Sequence, residues 1–447
     1  MDPLFARRTI AGRPVVHGIH VLIWALDSLL THVVDLPPPS AVKVSFEKMI
    51  YVGDTVCVCL IHCDKDKARV EIGAGGVIVF VVELAFDGSA AGAAAIPDGP
   101  LCDPAGPADL LFAQMEHRKG YIRLPDNVGA IAQRFPVASG VLGVERLMGL
   151  ARTSYLIGMV CPGLHSLFRG LHIGVSEATP DLRFHVTYAD EDYRLIRLAV
   201  SGGGWAGTVD AYARPGPAKQ ATIEQIAAKV APSEFAGASV LVVGGSRGLG
   251  EVVAKILAAG GAKVTITYSV GEADAKRVEA EINGSGGFCE IMRYDVRAAA
   301  KDQLLALRTV PTDLYFMATP QIFQRAQADS SVTRLQEFLA FYVTGFSDLC
   351  MALKDDAGLG MGIYYPSSTS IDDRPSNMTE YTMAKAAGEV LCADMVAFGR
   401  WRRIVVTRLP RLPTDQTATL YEDDAIDPVD TMLPIVRAVQ GTGMASD

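Results

Sequence analysis

The stretch SVLVVGGSRGLGEVVAKIL, residues 239–257, changes character at its centre. The apolar run Val240 to Val243 reads as a buried strand, and after Gly250 the apolar positions Val252, Val253, Ile256 and Leu257 recur at helical spacing. A strand that turns through glycines into a helix N-terminus suits an anion, because unpaired N–H groups and the positive end of the helix dipole point the same way. Glycine lets the turn be tight and lets the backbone approach a pyrophosphate. Gly244, Ser246, Arg247, Gly248 and Gly250 are the candidate contacts.

Working outward, apolar strands alternate with helical stretches: AKVTITY (262–268), FCEIMRYDV (288–296), DLYFMAT (313–319), MGIYYPSS (361–368) and RIVVTRLP (403–410). That alternation predicts an α/β Rossmann-like, doubly wound parallel sheet. Asp295, at the end of the third strand, is placed to accept from an adenine amino group. No acid follows the second strand before Glu272, where an NAD site usually holds the ribose 2′-OH, and Arg247 can pair with a 2′-phosphate. NADPH is therefore the expected cofactor, with an exposed Arg247 on the turn as the plainer alternative.

Ser368, Tyr381 and Lys385 stand at the spacing Ser-x12-Tyr-x3-Lys. Four residues apart on EYTMAKAAGE (380–389), the tyrosine and lysine share a helix face. The ammonium can then lower the phenol's pKa and hold the nicotinamide ribose while Ser368 bonds a carbonyl oxygen. All eight histidines precede residue 186, so this half must do acid/base work without histidine. These elements resemble the short-chain dehydrogenase/reductase family across residues 236–430. Two positions depart from that family's pattern. Its Asn-Ala-Gly after the fourth strand reads Met317 to Pro320 here, and Tyr342 stands where the resemblance implies a relay asparagine; activity is still expected. Arg411, in RLPRLPTDQT (408–417), has two readings, a contact to an anionic thioester carrier or a structural role.

The first half repeats itself. GRPVVHGIHVLIWALDSLL (12–30) returns 122 residues later within RFPVASGVLGVERLMGLARTSYL (134–156), which places Gly18 on Gly140 and Phe46 on Phe168 without a gap. Each copy predicts an entry turn, a long apolar helix and strands, among them RFHVTYAD (183–190), YRLIRLAVS (193–201) and GTVDAYAR (207–214). One helix wrapped by an antiparallel sheet, present twice, is an α+β double hot-dog layout. DPLFARRTIAGRPVVHGIH (2–20) and FEKMIYVGDTV (46–56) look like the MaoC-like, (R)-specific hydratase family. That resemblance implies that the N–H of Gly18 or Gly140, each opening a helix, binds a thioester carbonyl oxygen, with His17 shaping the first turn. The family's Asp/His pair would fall just before Met1, and His117 and Ile122 occupy its place in the second copy. A truncated hydratase and a noncatalytic acyl-binding domain both stay open.

Residues 1–212 are thus expected as the double hot-dog domain, 213–235 as a linker and 236–447 as the reductase domain. With 447 residues, 49% hydrophobic and 20% charged, the chain can bury more than one core. A formal net charge of −9 argues against a nucleic-acid partner, since phosphate binding needs clustered Lys and Arg. The longest apolar run, GGVIVFVVELAF (75–86), is too short to span a bilayer and reads as a buried strand; with no signal-peptide pattern the expected location is cytoplasmic. Cys57 and Cys59, near His62 and Cys63, are expected as buried strand residues rather than metal ligands, and no metal site is expected. Together the motifs predict NADPH-dependent reduction of 3-oxoacyl thioesters carried on coenzyme A or an acyl carrier protein, in fatty-acid-like or polyketide biosynthesis. Two domains acting in turn on one tethered acyl group would gain from effective concentration. A noncatalytic acyl-binding scaffold and a nucleotide-sugar reductase or epimerase are the alternatives. Monomer and homodimer are both left open.

Overall fold

The structure is a computed structural model that describes residues 6, 9, 11–33, 36–88, 96–125, 129–322, 331–357, 360–398, 401, 403–417 and 426–441. Its two compact units have Arg13–Gly216 and Pro217–Ala418 as their main bodies. Among the described residues no helix is long and apolar enough to cross a membrane.

The first unit is a nine-stranded antiparallel sheet. It contains β1 (Ala41–Phe46), β2 (Val56–Cys63), β3 (Lys67–Ala74), β4 (Val77–Ala85), β5 (Lys119–Arg123), β6 (Ser166–Val175), β7 (Asp181–Asp190), β8 (Leu195–Gly202) and β9 (Trp205–Ala213). The strand order is β2-β3-β4-β1-β6-β9-β8-β7-β5. Outward from the central β1–β6 pair, the order 1-4-3-2 on one side is matched by 6-9-8-7 on the other. The internal repeat of the sequence is therefore a repeat of strand connectivity.

Helix α1 (Gly18–His32) buries Ile19, Leu22, Ile23, Leu26 and Leu29 in this unit's core, the positions at which a 3.6-residue period returns to one face. Its counterpart is not one long helix. It divides into α2 (Pro136–Leu142) and α3 (Val144–Tyr155), followed by a π-helical turn to Val160. The break falls at Gly143, whose φ of 85° no α-helix accommodates. Pro136 starts α2 at its first turn, and Asp27 of α1 caps it by accepting from the Ala138 N–H at 2.9 Å. The run 75–86 forms β4, with Val79, Phe80, Val82 and Leu84 buried as expected. Cys57, Cys59 and Cys63 are exposed, contrary to expectation, because β2 is an edge strand.

The second unit is a six-stranded parallel sheet of β10 (Ser239–Val243), β11 (Lys263–Tyr268), β12 (Phe288–Arg293), β13 (Asp313–Phe316), β14 (Gly362–Ser368) and β15 (Arg403–Leu409). Its order is β12-β11-β10-β13-β14-β15, the doubly wound Rossmann pattern in which the order reverses beside the first strand. Two apolar clusters lie in this unit. One gathers Val242, Val253, Leu257 and Ile266; the other gathers Leu241, Phe316, Phe346 and Tyr365. The stretch 213–235, expected as a linker, contributes to the first cluster. Its helix α4 (Ile223–Ala227), opened by a Thr222–Gln225 capping box, buries Ile223 and Ile226, and Val230 and Phe235 follow. Four apolar side chains removed from water hold this segment as part of the folded unit.

Candidate active site

The turn after β10 leads directly into α5 (Gly248–Ala259). Gly244 has φ 81°, donates its N–H to Thr267 Oγ1 at 3.0 Å, and lies where a Cβ would come within 2.8 Å of the Ala318 backbone. At Gly250, in the first turn of α5, a Cβ would collide with the Gly244 carbonyl. The glycines thus keep strand, turn and helix in close apposition, the backbone arrangement that a cradle for a dinucleotide pyrophosphate requires. Ser246 is buried in the turn. Gly248 begins the helix, and Arg247 occupies the position before it without a side-chain capping bond.

Arg247 does not stand alone. Its Nη1 lies 3.6 Å from the Asp415 carboxylate, and Asp415 also accepts from the Ala218 N–H at 3.1 Å. Asp295 follows β12 as the sequence implied, but its carboxylate accepts both the N–H and the guanidinium of Arg297, at 2.8–3.0 Å. The side-chain hydrogen bond from Arg297 holds the Asp295 carboxyl below the usual carboxylate range. Arg411 turns back on its own loop, donating to the Thr417 carbonyl at 2.7 Å.

Ser368 closes β14, and Tyr381 and Lys385 lie one turn apart on α6 (Thr379–Ala397). Both α6 side chains are buried. Burial raises the Tyr381 phenol pKa, and a hydrogen bond with Ser368 pulls it the other way. The phenol is therefore protonated at neutral pH, as a proton donor must be. Lys385 Nζ donates to the Pro366 carbonyl at 2.6 Å. Burial lowers its pKa to about 7. The structure thus gathers Ser368, Tyr381 and Lys385 at one end of β14.

Sequence spacing did not reveal the surroundings of that trio. Glu389, one turn beyond Lys385, receives two hydrogen bonds from Arg408 of β15, at 2.7 and 2.9 Å, and one from the Ser367 hydroxyl. Arg408 also binds Asp372 at 2.6 Å. This network fixes α6 against the end of β14 that carries Ser368. Its only sequence signal was the i, i+4 step from Lys385 to Glu389. Tyr365 and Tyr342 line the lysine from the other side, with Lys385 Nζ 3.8 Å from the Tyr342 ring centroid and 5.3 Å from that of Tyr365.

In the first unit, Gly18 is the first residue of α1, and the Phe46 ring lies where its Cβ would be, at 2.8 Å. His17, the residue before this helix, makes no side-chain capping bond and pairs through Nδ1 with Ser154 Oγ at 3.2 Å. Gly140 does not open a helix as expected; it lies inside α2, because Pro136 starts that helix four residues earlier. Its N–H belongs to the helical ladder and is not an oxyanion donor.

A family model described as short chain dehydrogenase matches residues 238–311, the segment from β10 almost to β13. The C-terminal half of the chain is a short-chain dehydrogenase/reductase domain. Over 223 residues the chain is 25% identical to the uncharacterized oxidoreductase YgfF of Escherichia coli (strain K12), covering 46% of this chain and 90% of that one. Among solved structures it is similar to a dehydrogenase/reductase from Sinorhizobium meliloti 1021, with 23% identity, a TM-score of 0.40 and coverage of 49% and 93%. It is also similar to a 3-oxoacyl (acyl-carrier-protein) reductase from Agrobacterium tumefaciens C58 solved with NADP bound. There the identity is 22%, the TM-score 0.37 and the coverage 41% and 73%.

Proposed function

We propose that the short-chain dehydrogenase/reductase domain uses NADPH to reduce the 3-oxo group of acyl thioesters, carried on coenzyme A or an acyl carrier protein, to the 3-hydroxy group. The observation that carries this is the convergence of Ser368, Tyr381 and Lys385 at the end of β14, with Tyr381 buried and protonated. The glycine turn at Gly244 and Gly250, leading into a helix N-terminus, fits a dinucleotide pyrophosphate, and Arg247 beside it fits a 2′-phosphate. Bound there, NADPH supplies the hydride. Ser368 donates a hydrogen bond to the substrate carbonyl oxygen, and Tyr381 gives that oxygen its proton as negative charge develops on it. Lys385, when charged, lowers the cost of leaving Tyr381 deprotonated and would hold the nicotinamide ribose.

The N-terminal unit is proposed as a double hot-dog domain that binds the same class of acyl thioester, with Gly18 offering its N–H to the thioester carbonyl. Its support is the mirrored strand order about the β1–β6 pair and the position of Gly18 at a helix N-terminus. Consumption of NADPH with acetoacetyl-coenzyme A, followed by chromatographic detection of 3-hydroxybutyryl-coenzyme A, tests the reductase. Absence of turnover with acetoacetyl thioesters on both carriers would overturn it.

A further inference from the structure

We infer that Tyr342 is a positioning residue of the reductase site, its ring face forming the seat that keeps the Lys385 ammonium charged and in place. This rests on the reductase reading of Ser368, Tyr381 and Lys385 and adds a residue to it. Lys385 is only 5% exposed, and among the described residues no carboxylate pairs with it. The titratable side chains that face it are Tyr381 and Cys392 from its own helix, Tyr365 from β14 and Tyr342 from the turn Ala340–Gly345. Glu389, which could have served as counter-ion, is occupied by Arg408 and Ser367. A buried ammonium with one carbonyl acceptor would readily shed its proton. The face of an aromatic ring carries negative potential and attracts a cation, most strongly where water is excluded. Of the three rings within reach, that of Tyr342 is closest, its centroid 3.8 Å from Nζ against 5.3 Å for Tyr365 and 5.8 Å for Tyr381.

The ring is held for this task from several sides. Its hydroxyl hydrogen-bonds Thr319 Oγ1, and its backbone carbonyl accepts from the Tyr365 hydroxyl at 3.1 Å. Phe338 stacks on it at 5.9 Å with an interplanar angle of 8°, and the Tyr381 ring meets it edge to face at 5.8 Å. Tyr342 sits in a π-helical turn, a form of helix recurrent at functional sites because the extra residue per turn redirects side chains. It touches both Lys385 and Tyr381 and acts through them, with its own hydroxyl engaged by Thr319.

The test compares Tyr342→Phe, which keeps the ring face and loses the hydroxyl, with Tyr342→Met and Tyr342→Leu, which fill the space without a π-system. Two quantities are read on the full chain. One is the Lys385 titration midpoint, followed through its 13Cε resonance in protein without nucleotide and assigned by its absence in Lys385→Met. The other is the pH profile of acetoacetyl-coenzyme A reduction. Tyr342→Phe should match the wild type in both. Tyr342→Met and Tyr342→Leu should lower the midpoint by about one pH unit, with the high-pH limb of the rate profile moving down alongside it. A midpoint that stays at the wild-type value in both aliphatic variants would overturn the inference. So would an equal shift in all three, which would assign the effect to the Thr319 hydrogen bond. If the wild type reduces no acetoacetyl thioester, the functional reading fails, while the NMR midpoints still decide whether Tyr342 seats the ammonium.

Discussion

The rings of Phe46 and Phe168 meet edge to face, with centroids 5.1 Å apart and planes at 69°. They end β1 and sit near the start of β6, whose antiparallel register runs from Ala41↔Gly174 to Ser45↔Gly170, so the pair lies where the two copies of the repeat meet. Phe46 also packs on Phe80 at 4.6 Å and covers Gly18. Replacing either ring by alanine should destabilise the N-terminal unit by about 2–3 kcal/mol, less than for a fully buried Phe because both rings are only partly buried. A double-mutant cycle should return a coupling of about 0.5–1.5 kcal/mol, the range for aromatic pairs. Urea unfolding of the four proteins measures it, and strict additivity would show that the contact is incidental.

Tyr381→Phe should lower reduction of acetoacetyl-coenzyme A by roughly 10²–10⁴, the usual worth of a general acid. NADPH affinity, read by fluorescence, should change little, since the cradle at Gly244 and Gly250 is untouched. A variant that keeps more than about a tenth of the wild-type rate would remove Tyr381 from the acid role.

Much of the reductase half was legible because its signals are local. A strand, a glycine turn and a helix N-terminus lie within residues 239–257, and Tyr381 and Lys385 are one helical turn apart. What the sequence withheld depends on contacts between distant elements. Asp415 reaches Arg247 across 168 positions, Arg408 reaches Glu389 from another strand, and the Tyr342 ring meets Lys385 from a separate helix. In the N-terminal half the offset of 122 placed the strands well but misled at Gly140. A proline at 136 and a glycine with positive φ at 143 restart the second helix at points that apolar periodicity does not register. The exposure of Cys57 and Cys59 likewise followed from edge position, a property of the assembled sheet.

Arg247→Ala should erase the preference for NADPH over NADH, costing about 1.5–3 kcal/mol of NADPH binding through loss of a charge-assisted contact to the 2′-phosphate. Asp415→Asn should act in the opposite direction. Its carboxylate, 3.6 Å from Arg247, competes with the 2′-phosphate for the same guanidinium. Removing that charge should tighten NADPH by about three- to tenfold and leave NADH nearly unchanged, because partly exposed ion pairs contribute on the order of 1 kcal/mol. Dissociation constants for both nucleotides, obtained by fluorescence titration, decide. Equal changes for the two would assign Arg247 and Asp415 to support of the turn.

Lys385→Met should stabilise the C-terminal unit, and the gain should depend on pH. Burial sets the Lys385 midpoint at about 7 in the folded chain, whereas an exposed lysine titrates near about 10.4. Below pH 7 both states carry the proton, and the folded state bears the full penalty of the buried ammonium. Between about 7 and about 10.4 the unfolded chain binds a proton that the folded chain has released, so stability rises with pH across that window as the penalty is relieved. Methionine has no such dependence. The melting temperature of Lys385→Met should therefore exceed that of the wild type by several degrees at about pH 6, and the difference should shrink steadily toward about pH 9. Scanning calorimetry of both proteins across that range is the measurement. A difference that stays constant from about pH 6 to about pH 9 would mean that Lys385 is charged in the folded chain well above pH 7, held by a stronger partner than the Pro366 carbonyl and the Tyr342 ring.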